Sequence, residues 1–219
     1  MTISNLWSCA VITPVGPGHE ETYVSYCLPS IEHAISYGTG PFVRVEPIDV
    51  PDLQGNLGRS RARNLGVVEA VERGFDWIFF LDADDFLFES VFEDAASHLL
   101  EVDALWGLIC EARFGDLTSA RLRPNQVRTM DRLDELLGND PFMTLQMGHF
   151  VRAEVAAAVP FDERMDTGED FRYYRRVWSR YRCKKMERVF FLNVRGRHST
   201  GPRSADGRMW REAVEMEVR

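Results

Sequence analysis

Three short segments of this 219-residue chain carry residue types able to do chemistry. The first, Asp82-Ala83-Asp84-Asp85, follows directly on the apolar run Trp77–Leu81. Neighbouring carboxylates repel one another unless a cation is shared among them, and their hard oxygens suit Mg²⁺ or Mn²⁺. A solvated acidic turn capping the next helix is the plainer reading, but the apolar run before it looks like the most buried strand of the chain. The second segment is Gly58-Arg59-Ser60-Arg61-Ala62-Arg63-Asn64-Leu65-Gly66. Guanidinium groups on a first helical turn add to the dipole and free N–H groups in attracting anions. The alternative is an exposed, Arg-decorated turn. The third, Thr167-Gly168-Glu169-Asp170, sets two carboxylates at a helix start, where one can hold a general base. Read alone, it is better explained by capping.

The elements that must position these segments alternate. Leu6–Val15 reads as a buried strand that stops at the breaker cluster Pro14–Gly18. Glu20–Tyr37 is predicted helical, with Tyr23, Tyr26, Cys27, Ile31 and Ile35 at helical spacing and Pro29 as a point of kinking. Strand Phe42–Val50, loop Asp52–Gly58, helix Ser60–Glu72 and strand Phe75–Leu81 complete a βαβαβ pattern. In such sheets ligands bind outside the carboxyl ends of the strands, where the acidic segment falls. Beyond it the pattern loosens: helix Glu89–Glu101, strand Ala104–Phe114, helix Asp131–Leu137, strand Leu145–Val151, helix Glu169–Tyr181, strand Arg188–Val194 and a final amphipathic helix Asp206–Val218. No repeat, low-complexity stretch or linker interrupts them.

Composition narrows the class. An apolar content of 45% and an aromatic content of 11% exclude disorder. The net charge of −8 argues on average against a nucleic-acid or membrane-surface protein. The charge is unevenly spread, however. From Asp170 to Arg219 there are 14 Lys+Arg against 6 Asp+Glu, whereas residues 1–169 hold 12 against 28. Cys9, Cys27, Cys110 and Cys183 lie far apart and read as buried thiols of a reducing compartment. No basic residue precedes Arg44 and no apolar run approaches a membrane span, so a soluble cytoplasmic protein is expected.

Taken together, Ala62-Arg63-Asn64-Leu65-Gly66, Trp77–Asp85 and Gly168-Glu169-Asp170 resemble the family 2 glycosyltransferases of the GT-A fold. Val11-Ile12-Thr13-Pro14 and Met147-Gly148-His149-Phe150-Val151-Arg152 fit as well, so the resemblance runs from about Leu6 to His198. It implies an α/β fold of GT-A type (Rossmann-like), a mixed, mostly parallel sheet flanked by helices in one domain over residues 1–219. Residues 1–85 would form the nucleotide-sugar-binding half, and 86–219 the acceptor-binding half with its basic C-terminal segment. The implied activity is metal-dependent transfer of a sugar from a nucleotide-diphosphate sugar to an acceptor hydroxyl, with inversion.

The roles that follow are implied by the resemblance. Asp82, Asp84 and Asp85, with His198 as a further ligand, would hold Mn²⁺ or Mg²⁺. Thr13, Pro14, Asp49, Arg59, Arg63, Asn64, Asp82, Ala83 and Gly148 would line the donor site. Asp170 would be the base, oriented by Glu169. His198, as a lone histidine, also reads as structural or exposed. His149 reads as strand packing, and His19, His33 and His98 as helix-surface residues. The family's Asp-Asp-Gly-Ser after the second strand is replaced by Ile48-Asp49-Val50-Pro51-Asp52, which leaves the nucleotide preference open.

Other readings meet specific obstacles. Gly16-Pro17-Gly18 lacks the third glycine of a dinucleotide fingerprint, and no P-loop or nucleophile elbow is present. A nucleotidyltransferase of similar fold would need a lysine-bearing opening loop, yet Lys184 and Lys185 are the only lysines. An inactive nucleotide-sugar-binding module is the non-enzymatic alternative. The basic last quarter points to an anionic acceptor (a glycan, a phospholipid-linked glycan or DNA) or to arginines serving the donor diphosphate.

Overall fold

The computed structural model describes residues 7–165, 167–195 and 215–216. The chain runs through β1 (Trp7–Val15), α1 (Glu20–Thr22), a π-helical stretch (Tyr23–Cys27), α2 (Leu28–Tyr37), β2 (Phe42–Pro51), α3 (Gly58–Glu72) and β3 (Trp77–Phe80). There follow β4 (Phe86–Leu87), α4 (Val91–Ala95), β5 (Ala104–Arg113), β6 (Asp116–Leu122), α5 (Leu133–Gly138), a 3-10 turn (Pro141–Met143), β7 (His149–Arg152), α6 (Ala153–Ala158), α7 (Glu169–Trp178) and β8 (Cys183–Arg195).

The strands form one sheet in the order β2-β1-β3-β7-β5-β8-β4, with β6 added to the outer half of β5. β1, β2 and β3 are mutually parallel, β5 is parallel to β8, and β7 lies antiparallel between β3 and β5. This is the mixed α/β sheet that the sequence predicts. Side chains along β1 and β3 alternate between two cores. Ala10, Ile12, Ile78 and Phe80 enter one with α3, α6 and α7; Cys9, Val11, Trp77 and Phe79 enter the other with α2 and α4. Burial on both faces explains why these strands are apolar without a polar alternate.

α3 lies unusually close to β1. A Cβ on Gly66 would stand 2.4 Å from Ile12 Cγ2, so only glycine lets the helix descend onto the strand there. That approach carries Arg63, one turn earlier, over the sheet's carboxyl edge.

Several expectations shift. Pro29 does not kink the first long helix; it lies in the opening turn of α2, where its missing N–H is harmless. The irregularity is the preceding π-helical stretch. The helix expected at Glu89–Glu101 stops at Ala95 and continues as turns. The strand expected from Leu145 begins only at His149, because Gly148 takes the left-handed φ of 104°. β8 begins five residues before the predicted Arg188, through the polar Cys183-Lys184-Lys185-Met186-Glu187. All four cysteines are free and buried. Of the expected last helix, only residues 215–216 are described, and they are helical.

Candidate active site

The guanidinium of Arg63 joins the three motif segments. It projects from the second turn of α3, and its side chain is only 4% exposed. Nη2 donates to Asp82 Oδ1 at 2.7 Å, just beyond the end of β3. Nη1 lies 3.6 Å from Glu169 Oε1 at the start of α7, and Arg59 Nη1 lies 3.6 Å from the same oxygen. Burial works against the Arg63 charge, but Asp82 and Glu169 outweigh it and hold the guanidinium above its ordinary pKa.

Glu169 is fully buried, whereas its neighbour Asp170 is half-buried. The helix opens on Gly168 in the left-handed region (φ 76°), which turns the chain so that both carboxylates enter the first turn of α7. Asp170 Oδ1 accepts from the Phe171 N–H at 2.8 Å, and the N-terminal dipole favours both charges. No side chain caps α7 at Gly168; the two carboxylates lie inside the first turn.

The acidic segment divides. Asp82 and Asp84 are partly exposed, at 30% and 26% of their side-chain surface. Asp85 is buried and points the other way. It accepts from Asn193 Nδ2 at 3.0 Å and from the Val194 N–H at 3.0 Å, both on β8. Burial pushes the Asp85 carboxyl well above the usual carboxylate range, and the charges of Asp84 and Asp82 push it further. The expected trio of metal ligands is therefore not gathered: among the described residues no three His, Cys, Asp or Glu side chains are grouped around one ion-sized site. Asp85 instead ties the acidic turn to β8. His198 lies outside the described residues.

The remaining predicted donor residues separate into two sets. Thr13 is buried at the end of β1 and pairs in register with Asp49, which is exposed on β2. Pro14 follows Thr13, half-buried, and Ala83 is buried within the acidic turn. Asn64 and Gly148 both hold neighbouring chain in place. Asn64 accepts from the Phe161 N–H at 2.9 Å and donates to the Phe161 carbonyl at 3.0 Å and to Glu163 Oε1 at 2.9 Å. It thereby anchors the loop that leads to Gly168. A Cβ on Gly148 would meet the Phe191 ring at 2.2 Å. His149 is fully buried and stacks on Trp106 at 4.3 Å; burial, helped by the Arg63 charge, holds its pKa well below the ordinary histidine value.

Sequence reasoning missed three residues here. His19 Nε2 stands 3.9 Å from Asp84 Oδ2, not on a free helix surface. Its place in the first loop after β1, on the carboxyl edge of the sheet, is the signal that could have found it. Asp52 accepts from the N–H groups of Leu57 (3.1 Å) and Gly58 (2.9 Å) and so closes the loop into α3. Tyr174, one turn after Asp170 on α7, buries its ring against Trp106.

No family model matches the sequence, and no curated protein matches it. Solved structures do. S. aureus TarS aligns with a TM-score of 0.64 at 16% identity, over 86% of this chain and 37% of that one. TarS 1-349 in complex with UDP-GlcNAc aligns with a TM-score of 0.67 at 14% identity, over 88% of this chain. TarS 1-349 in complex with UDP gives 0.64 at 17% identity, over 86% of this chain. The chain spans about 60% of the length of TarS 1-349. The shared feature is the fold: this chain has the architecture of TarS, a mixed α/β sheet of the GT-A type that the resemblance implies.

Proposed function

We infer that this chain transfers a sugar from a nucleotide-diphosphate sugar to an acceptor hydroxyl, as a single catalytic unit. The carrying observation is the buried Arg63 guanidinium, which fixes Asp82 and Glu169 relative to each other at the carboxyl edge of the sheet. TarS, whose fold this is, has been solved with UDP-GlcNAc and with UDP. On this reading residues 1–85 hold the donor and 86–219 the acceptor. Thr13, Pro14 and the exposed Asp49 face the nucleoside, and Arg59, 31% exposed beside Glu169, faces the diphosphate.

Asp82 and Asp84 fit a divalent cation. They are partly exposed hard-oxygen donors two positions apart, and Mg²⁺ or Mn²⁺ needs only one or two carboxylates when the substrate's phosphates supply further oxygens. When bound, such an ion neutralises charge on the diphosphate leaving group. Asp85 acts through its bonds to β8, holding the turn in place.

Asp170 accepts the acceptor's hydroxyl proton. The hydroxyl oxygen forms its bond to the anomeric carbon as the bond from that carbon to the diphosphate oxygen breaks, on the opposite face and with inversion. Glu169, held by Arg59 and Arg63, fixes the helix start that carries Asp170. The four buried free thiols accord with a cytoplasmic location. Asp170→Asn tests the assignment: it should retain nucleotide-sugar binding and lose transfer and donor hydrolysis. Retained turnover would remove Asp170 as the base.

A further inference from the structure

We propose that Tyr174 is a positioning residue for Asp170, its hydroxyl donating the hydrogen bond that aligns the carboxylate with the acceptor hydroxyl. This rests on the glycosyl-transfer reading and deepens it by naming what holds the base in line.

Tyr174 is 1% exposed, and its hydroxyl has no hydrogen-bond partner among the described residues. Buried polar groups nearly always find a partner, so an orphan of this kind costs stability. The packing around the ring does not call for the oxygen. Trp106 meets the ring edge-on at 5.7 Å and 82°, and His149 does so at 5.9 Å and 89°. Phenylalanine would make the same ring contacts without the orphaned hydroxyl. The fold thus gains nothing from the oxygen.

Its place on α7 ties it to the reaction. Tyr174 follows Asp170 by four positions, so the two side chains share a face of the helix. Helical side chains lean toward the N-terminus, which brings the phenol back over the turn that carries Asp170. Burial holds the phenol well above its ordinary pKa; the charge of Asp170 adds to this more than those of Asp82 and Glu169, and Arg63 opposes it. The hydroxyl therefore lies among the charged groups of the site as a neutral donor. Asp82 and Glu169 already face the Arg63 fork, and Asp170 is the carboxylate assigned to the substrate. Asp170 Oδ1 accepts from the Phe171 N–H at 2.8 Å, and a second donor on the same helix face fixes the rotation of the carboxyl group. Once the proton has moved to Asp170, the same hydroxyl can accept from it, because a phenol serves as donor and acceptor.

Tyr173 supplies an internal control. It is equally buried and its hydroxyl is also without a partner among the described residues. Its ring, however, stacks on Phe161 at 4.2 Å, and the groups bearing on its hydroxyl are Cys183 and Arg63 rather than Asp170.

Hydrolysis of whichever UDP-, GDP-, dTDP- or CDP-sugar the full chain binds, with Mn²⁺ present and water as the acceptor, tests this. Tyr174→Phe should lower kcat about tenfold or more and leave KM within about twofold, since a misaligned base slows the step without weakening donor binding. Its melting temperature should equal or exceed that of the wild type, because an orphaned hydroxyl is removed. Tyr173→Phe should leave both kcat and KM within about twofold. An unchanged kcat in Tyr174→Phe, a kcat loss accompanied by a fall in melting temperature, a raised KM at unchanged kcat, or an equal loss in Tyr173→Phe overturns the proposal. A wild type that binds no nucleotide sugar, or binds one without turnover, would instead count against glycosyl transfer itself, and the positioning role would fall with it.

Discussion

Arg63 Nη2 lies 2.7 Å from Asp82 Oδ1, so a helix and a strand end separated by 19 positions are joined by a charge-assisted hydrogen bond. The same guanidinium reaches Glu169 through its other terminal nitrogen. A planar fork is what allows one side chain to serve two carboxylates from different elements.

Arg63→Lys should therefore fail even though it keeps the charge. A lysine can face Asp82 or Glu169 but not both, so one of the two carboxylates loses its contact with the guanidinium fork. We predict a loss of about 1–3 kcal/mol in urea unfolding, from the lost charge-assisted hydrogen bond, together with loss of nucleotide-sugar binding. An unchanged unfolding midpoint would show that Arg63 does not knit the motifs together.

The two neighbouring aspartates should part company on mutation. Asp84→Ala removes a partly exposed carboxylate, so stability should stay within about 0.5 kcal/mol while Mn²⁺-dependent donor binding is lost. Asp85→Ala orphans the Asn193 amide and the Val194 N–H in a buried setting and should cost about 2–4 kcal/mol. Thermal melts with and without Mn²⁺ and donor check the pair, and identical behaviour of the two variants would contradict the division.

Asn64→Ala should loosen the loop that delivers Gly168 and its two carboxylates. Three hydrogen bonds go, two of them to the Phe161 backbone, at about 1–3 kcal/mol in total. Amide exchange over residues 160–168 should quicken, and turnover should fall more than donor affinity does.

Lys185 predicts a pH signature remote from the chemistry. Its ammonium is buried, donates to the Thr144 carbonyl at 2.5 Å, and is pushed down from 10.5 to about 7 by burial and then by Arg123. Between about pH 7 and 10.5 the unfolded chain binds the proton that the folded chain has shed, so stability rises with pH across that window. Below it both states are protonated, and the full cost of the buried charge stands. Lys185→Met should remove this slope, on the order of 5 kcal/mol across the window, as read by urea unfolding at stepped pH.

What could be read from the sequence, and what could not, divides along physical lines. The strands to Leu81 were legible because burial on both faces leaves an unbroken apolar run, and strand ends gather at one edge wherever crossovers are parallel. Hence the first two motif segments could be expected to meet, whereas the place of Gly168-Glu169-Asp170 beside them was implied only by the resemblance. Asp85 could not be told from Asp82 and Asp84, because what turns it inward is a pair of donors on β8, 108 and 109 positions away. The bonds of Asn64 were out of sight for the same reason: its partners lie 97 and 99 positions on. The start of β8 was hidden by Lys184-Lys185, since a buried lysine reads as surface until Thr144 and Gln126 are seen around it. β6 was missed because its seven residues are largely exposed and carry no alternation.

The central claim is that the carboxyl edge around Arg63, Asp82 and Asp84 binds a nucleotide-diphosphate sugar. Isothermal titration of UDP-, GDP-, dTDP- and CDP-sugars with Mn²⁺, against the wild type and Asp84→Ala, tests it most directly. Saturable binding of at least one of these to the wild type is expected, with at least tenfold weaker binding, about 1.4 kcal/mol or more, to the variant. Absence of binding for all four classes, or equal affinity in the variant, would contradict it.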